Sequence, residues 1–244
     1  MKVVFVTGAS RGIGREIALR FSSDASIQLV LHASSLESLS DIHRKIMSNS
    51  RRSPLLLGYD MQDTSSISNA FKEIHKNFGQ LDVMINNAGI MKAASIGMIT
   101  PNLIDETLGV NLKGPILHLQ SASKIMARNH GGAIINISSI LGSVTRDSQL
   151  IYSTSKAALQ MATRVAAAEL APKKISVNAI APGFVPTELH GDLSDDQLSA
   201  AADMIGMGRV GSSAEIAELL FYLSSPIARY ITGQTIGIDG GMKV

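Results

Sequence analysis

The chain has 244 residues, of which 45% are hydrophobic, enough for one α/β domain with a large buried core. It contains no cysteine, which excludes disulfides and thiolate metal sites and fits a reducing, cytoplasmic location, and no apolar run approaches the ~18 residues of a membrane span. The net charge is +2, the basic residues are scattered and the six histidines lack ligand spacing, so we expect no nucleic-acid partner and no metal.

Short apolar runs alternate with helical patterns along nearly the whole chain. The predicted strands are residues 3–6, 27–31, 54–59, 81–85, 133–137, 175–180 and 234–238. The predicted helices are residues 13–21, 36–47, 67–78, 101–128, 150–170 and 213–223. This alternation predicts an α/β fold in which residues 1–244 form a single Rossmann-type doubly wound domain, a seven-stranded parallel sheet with helices on both faces.

The first predicted strand leads into a glycine-rich loop, Thr7-Gly8-Ala9-Ser10-Arg11-Gly12-Ile13-Gly14. Glycines in such a loop permit positive φ angles and a close approach of a ligand, and unpaired N–H groups at the start of the next helix attract a phosphate. The loop therefore predicts a dinucleotide pyrophosphate site. An ordinary βα turn is the alternative, because the spacing differs from Gly-x-Gly-x-x-Gly.

Polar residues follow four of the predicted strands at the points where these strands end. They are Asp60, Asn86-Asn87-Ala88-Gly89, Ser138-Ser139 and Pro182-Gly183. Ligands of doubly wound sheets bind beyond the carboxyl ends of the strands, so these residues are candidates for a site. Each of them alone is equally compatible with turn chemistry.

Tyr152 and Lys156 stand four residues apart, which places them on one face of a predicted helix. A phenol has an unperturbed pKa of ~10, and a neighbouring ammonium favours the phenolate and lowers that pKa. Ser139 ends the preceding strand, where its hydroxyl can share a carbonyl oxygen with the tyrosine. A solvated helix face is the alternative for the pair alone, but the glycine loop and the strand-end serine favour catalysis.

Taken together, these motifs resemble the short-chain dehydrogenase/reductase family over essentially the whole chain. Besides the segments above, the resemblance rests on Asn111, on Tyr152-Ser153-Thr154-Ser155-Lys156 and on Pro182-Gly183-Phe184-Val185-Pro186-Thr187. Within the family the ending, Tyr230-Ile231-Thr232-Gly233-Gln234-Thr235-Ile236-Gly237-Ile238-Asp239-Gly240-Gly241-Met242, is most similar to the 3-oxoacyl-[acyl-carrier-protein] reductases. Many sugar, steroid and alcohol dehydrogenases end similarly.

The resemblance implies four catalytic residues. Tyr152 would be the general acid, and Ser139 would hold the carbonyl oxygen. Lys156 would contact the nicotinamide ribose and lower the tyrosine pKa, and Asn111 would hold a water that connects the lysine to solvent. Pro115 lacks an N–H and would free the Asn111 carbonyl for that water, or would only bend the helix.

The resemblance also implies a nicotinamide cofactor. The expected binding residues are Gly8, Ser10, Arg11, Gly12, Ile13, Gly14, Ser34, Asp60, Met61, Asn87, Ala88, Gly89, Tyr152, Lys156, Pro182, Gly183, Val185 and Thr187. No acidic residue lies in His32-Ala33-Ser34-Ser35, and Arg11 and the serine hydroxyls are able to receive a 2′-phosphate, so we expect NADPH. An inward-turned Glu37 would favour NADH instead.

Three functions remain open at this point. The leading one is NADPH-dependent reduction of a 3-oxoacyl thioester in fatty acid biosynthesis, with Lys173 and Arg128 as candidate contacts to an acyl carrier protein. The second is the same chemistry on a small alcohol, sugar or steroid, and the third is a nucleotide-binding regulator without turnover. The resemblance further implies a homotetramer, compatible with the apolar face of the helix at 150–170.

Overall fold

The computed structural model describes residues 1–49, 52–188 and 194–242. Seven parallel strands form one continuous sheet in the order β3-β2-β1-β4-β5-β6-β7. The strands are β1 Lys2–Thr7, β2 Ile27–Ala33, β3 Leu55–Gly58, β4 Val83–Asn86, β5 Gly132–Ile137, β6 Ile175–Pro182 and β7 Thr235–Ile238. The predicted doubly wound α/β fold is therefore confirmed, and the predicted strands differ from the observed ones only at their ends.

Eight α-helices connect and cover the strands in the described part of the chain. They are α1 Gly12–Ser22, α2 Ser40–Asn49, α3 Thr64–Phe78, α4 Pro101–Leu108, α5 Gly114–Met126, α6 Leu150–Leu170, α7 Asp195–Asp203 and α8 Ser213–Leu223. Helix α7 was not predicted from the sequence. None of these helices combines the length and the apolar character needed to span a bilayer.

The strand β1 shows how the sheet is buried on both faces. Val4 and Val6 pack into one apolar cluster with residues of α1, α2 and α8. Val3 and Phe5 point the other way and pack with residues of α3, α5 and α6. Successive side chains of a strand alternate between faces, so a continuous apolar run is what a central parallel strand requires.

The strand order reverses between β1 and β4, which are hydrogen-bonded neighbours in the sheet. In doubly wound sheets this reversal opens a crevice at the carboxyl ends of the strands, and ligands bind there. The glycine loop leaves the end of β1 at this point, and residues 87–89 leave the end of β4 beside it.

The helix predicted over residues 101–128 is interrupted in its middle. Gly109–Lys113 forms a π-helical stretch between α4 and α5, and the Gly114 N–H donates to the Gly109 carbonyl five residues earlier. Asn111 lies within this stretch and Pro115 follows it at the start of α5. Such stretches are frequent at functional sites. The release of the Asn111 carbonyl to a water stays a prediction.

Candidate active site

A single cleft of about 1220 Å³ lies over the carboxyl ends of the strands. It brings together all but one of the predicted site residues: Gly8, Ser10, Arg11, Gly12, Ile13, Gly14, Ser34, Asp60, Met61, Asn87, Ala88, Gly89, Ser139, Tyr152, Lys156, Pro182, Gly183, Val185 and Thr187. The exception is Asn111, which is fully buried and does not line the cleft.

The glycine loop is packed too tightly to accept side chains at two of its glycines. Gly8 has a φ of 65°, and a Cβ there would lie 2.8 Å from the Ala88 Cα. A Cβ at Gly14 would collide with the Gly8 carbonyl oxygen and with the Asn87 side chain. No side chain caps the N-terminus of α1, so its first N–H groups face the loop without such a partner. This cradle fits a dinucleotide pyrophosphate.

Thr7 and Asn87 fasten this loop to the end of β4. The Thr7 hydroxyl accepts hydrogen bonds from the backbone N–H groups of Asn87, at 3.0 Å, and Ala88, at 3.1 Å. The Asn87 side chain donates in return to the carbonyls of Thr7, at 2.9 Å, and Gly8, at 3.0 Å. The two segments that border the crevice are therefore held at a fixed separation.

Ser139, Tyr152 and Lys156 meet on the other side of the cleft. The Ser139 hydroxyl and the Tyr152 phenol are hydrogen-bonded to each other. The Lys156 ammonium lies 5.7 Å from the centre of the Tyr152 ring and donates a 2.8 Å hydrogen bond to the Ile137 carbonyl, at the end of β5. Strand β5 thus positions the serine and the lysine, and α6 carries the tyrosine at helical spacing from that lysine.

Burial shifts the pKa of both titrating groups of this cluster, Tyr152 and Lys156. Burial raises the pKa of the Tyr152 phenol, and the hydrogen bond from Ser139 opposes that rise. This direction is opposite to the one expected from a neighbouring lysine alone, because burial is the largest influence on the phenol. The ammonium itself bonds to Ile137. Burial also lowers the pKa of Lys156 to about 8. The phenol is therefore protonated at neutral pH, as an acid catalyst for reduction must be.

Asn111 sits behind this cluster and organises the segment after β4. Its side-chain oxygen accepts from the Ile90 N–H at 2.9 Å, and its amide nitrogen donates to the Ile90 carbonyl at 2.8 Å. The same nitrogen donates to the Ser155 hydroxyl at 3.2 Å. A Cβ added to Gly89 would lie 3.3 Å from the Asn111 oxygen and 3.5 Å from the Lys156 ammonium. Asn111 thus lies close to the lysine, separated from the cleft by Gly89.

Gln160 is a residue of this site that the sequence analysis missed. It is nearly buried in α6, and its amide nitrogen donates to the Ser138 hydroxyl and to the Ser139 carbonyl, both at 3.1 Å. Its oxygen accepts from the Ser143 hydroxyl at 3.1 Å. The signal was present in the sequence, since Gln160 follows Lys156 at the same four-residue spacing that separates Lys156 from Tyr152.

A buried chain of histidines and tyrosine was also missed. The His32 ring lines the cleft. Its Nδ1 lies 3.4 Å from the Gly8 backbone nitrogen, and its Nε2 lies 2.9 Å from the Tyr59 carbonyl oxygen. The Tyr59 hydroxyl lies 2.7 Å from the His118 ring, which bonds the Gly114 carbonyl at 2.8 Å. Burial lowers the pKa of both histidines to about 4, so both are neutral at pH 7. No sequence motif surrounds either histidine, so their burial and hydrogen bonds could not be predicted from the sequence.

The residues that follow β2 are the ones on which the expected choice between NADPH and NADH was based. Ser34 is exposed and lines the cleft. The Ser35 hydroxyl lies 2.7 Å from that of Ser38. Glu37 is exposed in a short 3₁₀ turn and does not line the cleft. The inward-turned carboxylate that would favour NADH is therefore not observed.

The accessible wall of the cleft is mainly apolar. Helix α7 and the turn after it contribute Gln197, Ala200, Ala201 and Met204. This turn is tied to the end of the chain, because the N–H groups of Gly206 and Met207 donate to the carbonyls of Gly241 and Gly240. In the described ranges no group of three His, Asp or Glu residues has the geometry to hold a metal ion.

Comparison with known proteins assigns the chain to a family. The family model described as enoyl-(acyl carrier protein) reductase matches residues 8–243. The 3-oxoacyl-[acyl-carrier-protein] reductase FabG of Staphylococcus aureus is 37% identical over 241 residues, 99% of this chain and 98% of that protein. The FabG of Aquifex aeolicus is 36% identical over 243 residues, 99% of this chain and 97% of that protein.

Solved structures agree with this assignment. A short-chain type dehydrogenase/reductase from Mycobacterium marinum superposes with a TM-score of 0.93 at 30% identity, over 98% of this chain and 94% of its own. YwfH, an NADPH-dependent reductase involved in bacilysin biosynthesis, superposes with a TM-score of 0.92 at 32% identity, over 98% of this chain and 97% of its own. The chain belongs to the short-chain dehydrogenase/reductase family and is a nicotinamide-dependent oxidoreductase that acts on CH–OH or C=O groups.

Proposed function

We propose that this protein reduces a 3-oxoacyl thioester to the 3-hydroxyacyl form with NADPH, as a step of fatty acid biosynthesis. The observation that carries this proposal is the hydrogen-bonded pair of Ser139 and Tyr152 beside Lys156, at the wall of a largely apolar cleft. Support for the substrate comes from relatives at 36–37% identity that are named as 3-oxoacyl-[acyl-carrier-protein] reductases and match nearly the whole chain.

The cofactor supplies a hydride when it is bound. The Ser139 and Tyr152 hydroxyls hold the substrate carbonyl oxygen, where negative charge develops. Tyr152 donates its proton to that oxygen, and its raised pKa keeps the proton in place until then. Lys156 stabilises the phenolate that remains, because its ammonium lies 5.7 Å from the ring. The Asn111 side chain fixes the backbone at Ile90. Its backbone carbonyl would hold the water that returns protons from solvent.

The remaining predicted residues would bind the cofactor along the cleft. The glycine loop would hold the pyrophosphate, Asp60 and Met61 would border the adenine, Asn87-Ala88-Gly89 would follow the chain of the dinucleotide, and residues 182–187 would contact the carboxamide. NADPH is favoured over NADH because Arg11 and Ser34 line the cleft and Glu37 does not. Titration of both reduced cofactors tests this choice, and tighter binding of NADH would refute it.

The second candidate is the same chemistry on a small alcohol, sugar or steroid, and the apolar lining of the cleft is compatible with it. The decisive assay follows NADPH oxidation with acetoacetyl-coenzyme A, with crotonyl-coenzyme A as the enoyl control, beside a panel of secondary alcohols with NAD⁺ and NADP⁺. The proposal predicts turnover of the acetoacetyl thioester alone or far above the others. Turnover of the alcohols without that of the thioester would establish the second candidate, and absence of any turnover would favour a regulator.

We propose that residues 1–244 act as one domain in the cytoplasm and assemble as a homotetramer. Support for the assembly comes from α6, where Met161 and Val165 are about half exposed although apolar. Such surface on a helix favours burial against another copy. Lys173 and Arg128 are both exposed and remain the candidate contacts for an acidic carrier protein. Light scattering that gave a monomer mass at micromolar concentration would reject the tetramer.

A further inference from the structure

Arg146 is a charged residue of the cleft to which the catalytic mechanism gives no task. It lies between Ser139 and Tyr152 in the chain, and it lines the same cleft as both of them. Leu141, Ala201 and Met204 line the same cleft and carry no charge. Arg146 therefore adds a cation to a cleft whose accessible wall is largely apolar.

Asp60, Glu106 and Glu188 line the same cleft, but within the described ranges no acidic side chain forms an ion pair with Arg146. Its side chain makes no ion pair or hydrogen bond there. Glu106 also lines the cleft, but both of its oxygens accept hydrogen bonds from the Lys92 ammonium at 2.7 Å. Of the other cationic side chains that line the cleft, Lys156 bonds Ile137 and Arg11 belongs to the glycine loop.

The backbone that carries Arg146 is anchored. Its carbonyl accepts from the Gln149 N–H at 3.3 Å, and the Gln149 carbonyl in turn accepts from the first turn of α6. Ser148 adopts a φ of 61°, and its carbonyl accepts from the Ala94 N–H at 2.8 Å. The fold thereby sets the position of the Arg146 backbone relative to Tyr152.

We propose that Arg146 binds an oxyanion, a phosphate or a carboxylate, that the substrate carries away from its reacting carbonyl. A guanidinium presents a planar fork of donors that matches both groups and gives up its hydration more readily than an ammonium does. In a thioester substrate this oxyanion is the phosphate of the pantetheine arm, and in other carbonyl compounds it is a carboxylate at the far end of the chain. The inference rests on the proposed carbonyl reduction and adds a second recognition group to it.

The first test measures binding without turnover, by calorimetry on the NADPH-loaded protein. Phosphopantetheine is compared with pantetheine, and levulinate with its methyl ester. Wild type should bind the anionic member of at least one pair about tenfold more tightly, a preference that weakens as salt rises. Discrimination in the first pair identifies the phosphate as the source, and discrimination in the second identifies the carboxylate. Absence of a preference in both pairs overturns the proposal.

Variants connect that preference to the residue. Arg146→Gln should remove the discrimination, and Arg146→Lys should keep part of it, because an ammonium retains the charge without the fork. Lys45→Gln, which removes an equal charge from the exposed side of α2, should leave the discrimination unchanged. A glutamine variant at position 146 that discriminates as well as wild type would refute the assignment.

Kinetics separate this inference from the proposed function. With acetoacetyl-coenzyme A, Arg146→Gln should lower kcat/KM about tenfold, mainly through KM. With the neutral acetoacetyl-N-acetylcysteamine thioester it should change kcat/KM less than twofold. An equal loss on both substrates contradicts an anion-binding role. If wild type reduces neither thioester, the proposed function fails, while the binding comparison still decides the role of Arg146.

Discussion

Gln160 donates a 3.1 Å hydrogen bond to the backbone carbonyl of Ser139, one turn of α6 beyond Lys156. The same amide also bonds Ser138 and Ser143, so one side chain holds both ends of the loop that presents Ser139. A Cβ on Gly142 would lie 2.5 Å from the Gln160 amide nitrogen and clash with it, so this loop is closely packed against α6. The position of the Ser139 hydroxyl therefore depends on a residue that does not line the cleft.

Replacing Gln160 with methionine, which has similar size but no amide, should lower kcat about tenfold and leave NADPH binding within about twofold. Three hydrogen bonds are lost, and each buried group left without a partner costs about 1–3 kcal/mol. The expected signature of a positioning role is a fall in kcat at nearly constant KM, measured beside the melting temperature.

The matched control for this variant is Gln28→Met. Gln28 is buried in β2, where its amide donates to the carbonyls of Leu29 and Ser53, and it does not line the cleft. This control should lower the melting temperature as well but leave kcat unchanged. A parallel loss of kcat in both variants would show that Gln160 acts only through global stability.

Replacing Tyr152 with phenylalanine should abolish turnover and leave cofactor binding nearly intact. The variant removes the proton donor but keeps the ring, and general acid catalysis contributes typically ~10²–10⁴-fold to the rate. Steady-state kinetics and a fluorescence titration of NADPH measure the two effects. Retention of more than about a tenth of the wild-type turnover would contradict the assignment of the acid.

Replacing Lys156 with alanine should damage both turnover and cofactor binding. The ammonium is fully buried, bonds the Ile137 carbonyl and lies beside Tyr152, so its removal affects the wall of the cleft as well as the phenol. Lys156→Arg provides the comparison, because it retains the charge. A variant Lys156→Ala that binds NADPH as tightly as wild type would exclude the proposed contact with the cofactor.

Much of the fold was predictable because local patterns and tertiary structure agree. The strand β1 reads as apolar on both faces and is buried on both. Thr100 caps the start of α4, with its hydroxyl accepting from the Leu103 N–H at 3.2 Å and Pro101 in the first turn. Capping and burial periodicity depend on neighbours in the chain, which a sequence displays directly.

The features that were missed depend on contacts between distant residues. Helix α7 has a complete capping box of Ser194 and Gln197, but it has no buried residue, so its apolar pattern is weak. The π-helical stretch at Gly109–Lys113 contains the buried Asn111, which bonds to the distant residues Ile90 and Ser155. Proline at 115 alone is equally consistent with a simple bend. The direction of the Tyr152 pKa was set by burial, which the spacing of two residues does not reveal.

Replacing Gly14 with alanine should destabilise the protein by about 1–3 kcal/mol and weaken NADPH binding, because the new Cβ would collide with the Gly8 carbonyl and with the Asn87 side chain. Denaturant unfolding and cofactor titration measure the two effects. Gly97→Ala is the matched control, since a Cβ there meets nothing within 4 Å, and it should shift stability by less than about 0.5 kcal/mol. Equal stability and equal binding in both variants would contradict the tight cradle.

The buried histidines His32 and His118 should make the protein less stable as pH falls from about 6.5 to about 4. Their folded pKa of about 4 lies below the unfolded value of 6.5, so in this window the unfolded chain binds protons that the folded protein does not. Each histidine then lowers the free energy of unfolding by about 1.4 kcal/mol per pH unit, with no effect above about pH 7 and no further loss below about pH 4. Urea unfolding between pH 4 and 8 measures this slope.

The variant His118→Gln should halve that slope, because glutamine can still donate to the Gly114 carbonyl and accept from Tyr59 but takes up no proton. His75→Gln is the matched control, since it makes the same substitution at an exposed position of α3. The carboxyl of Glu215 has its pKa lowered to about 2 by Arg209 and Ser212, so the stability that it contributes is lost only below about pH 4.5. The range from pH 6.5 to 4.5 is therefore free of its effect. Stability that stays level between pH 7 and pH 5 would show that the two histidines are not held neutral by burial.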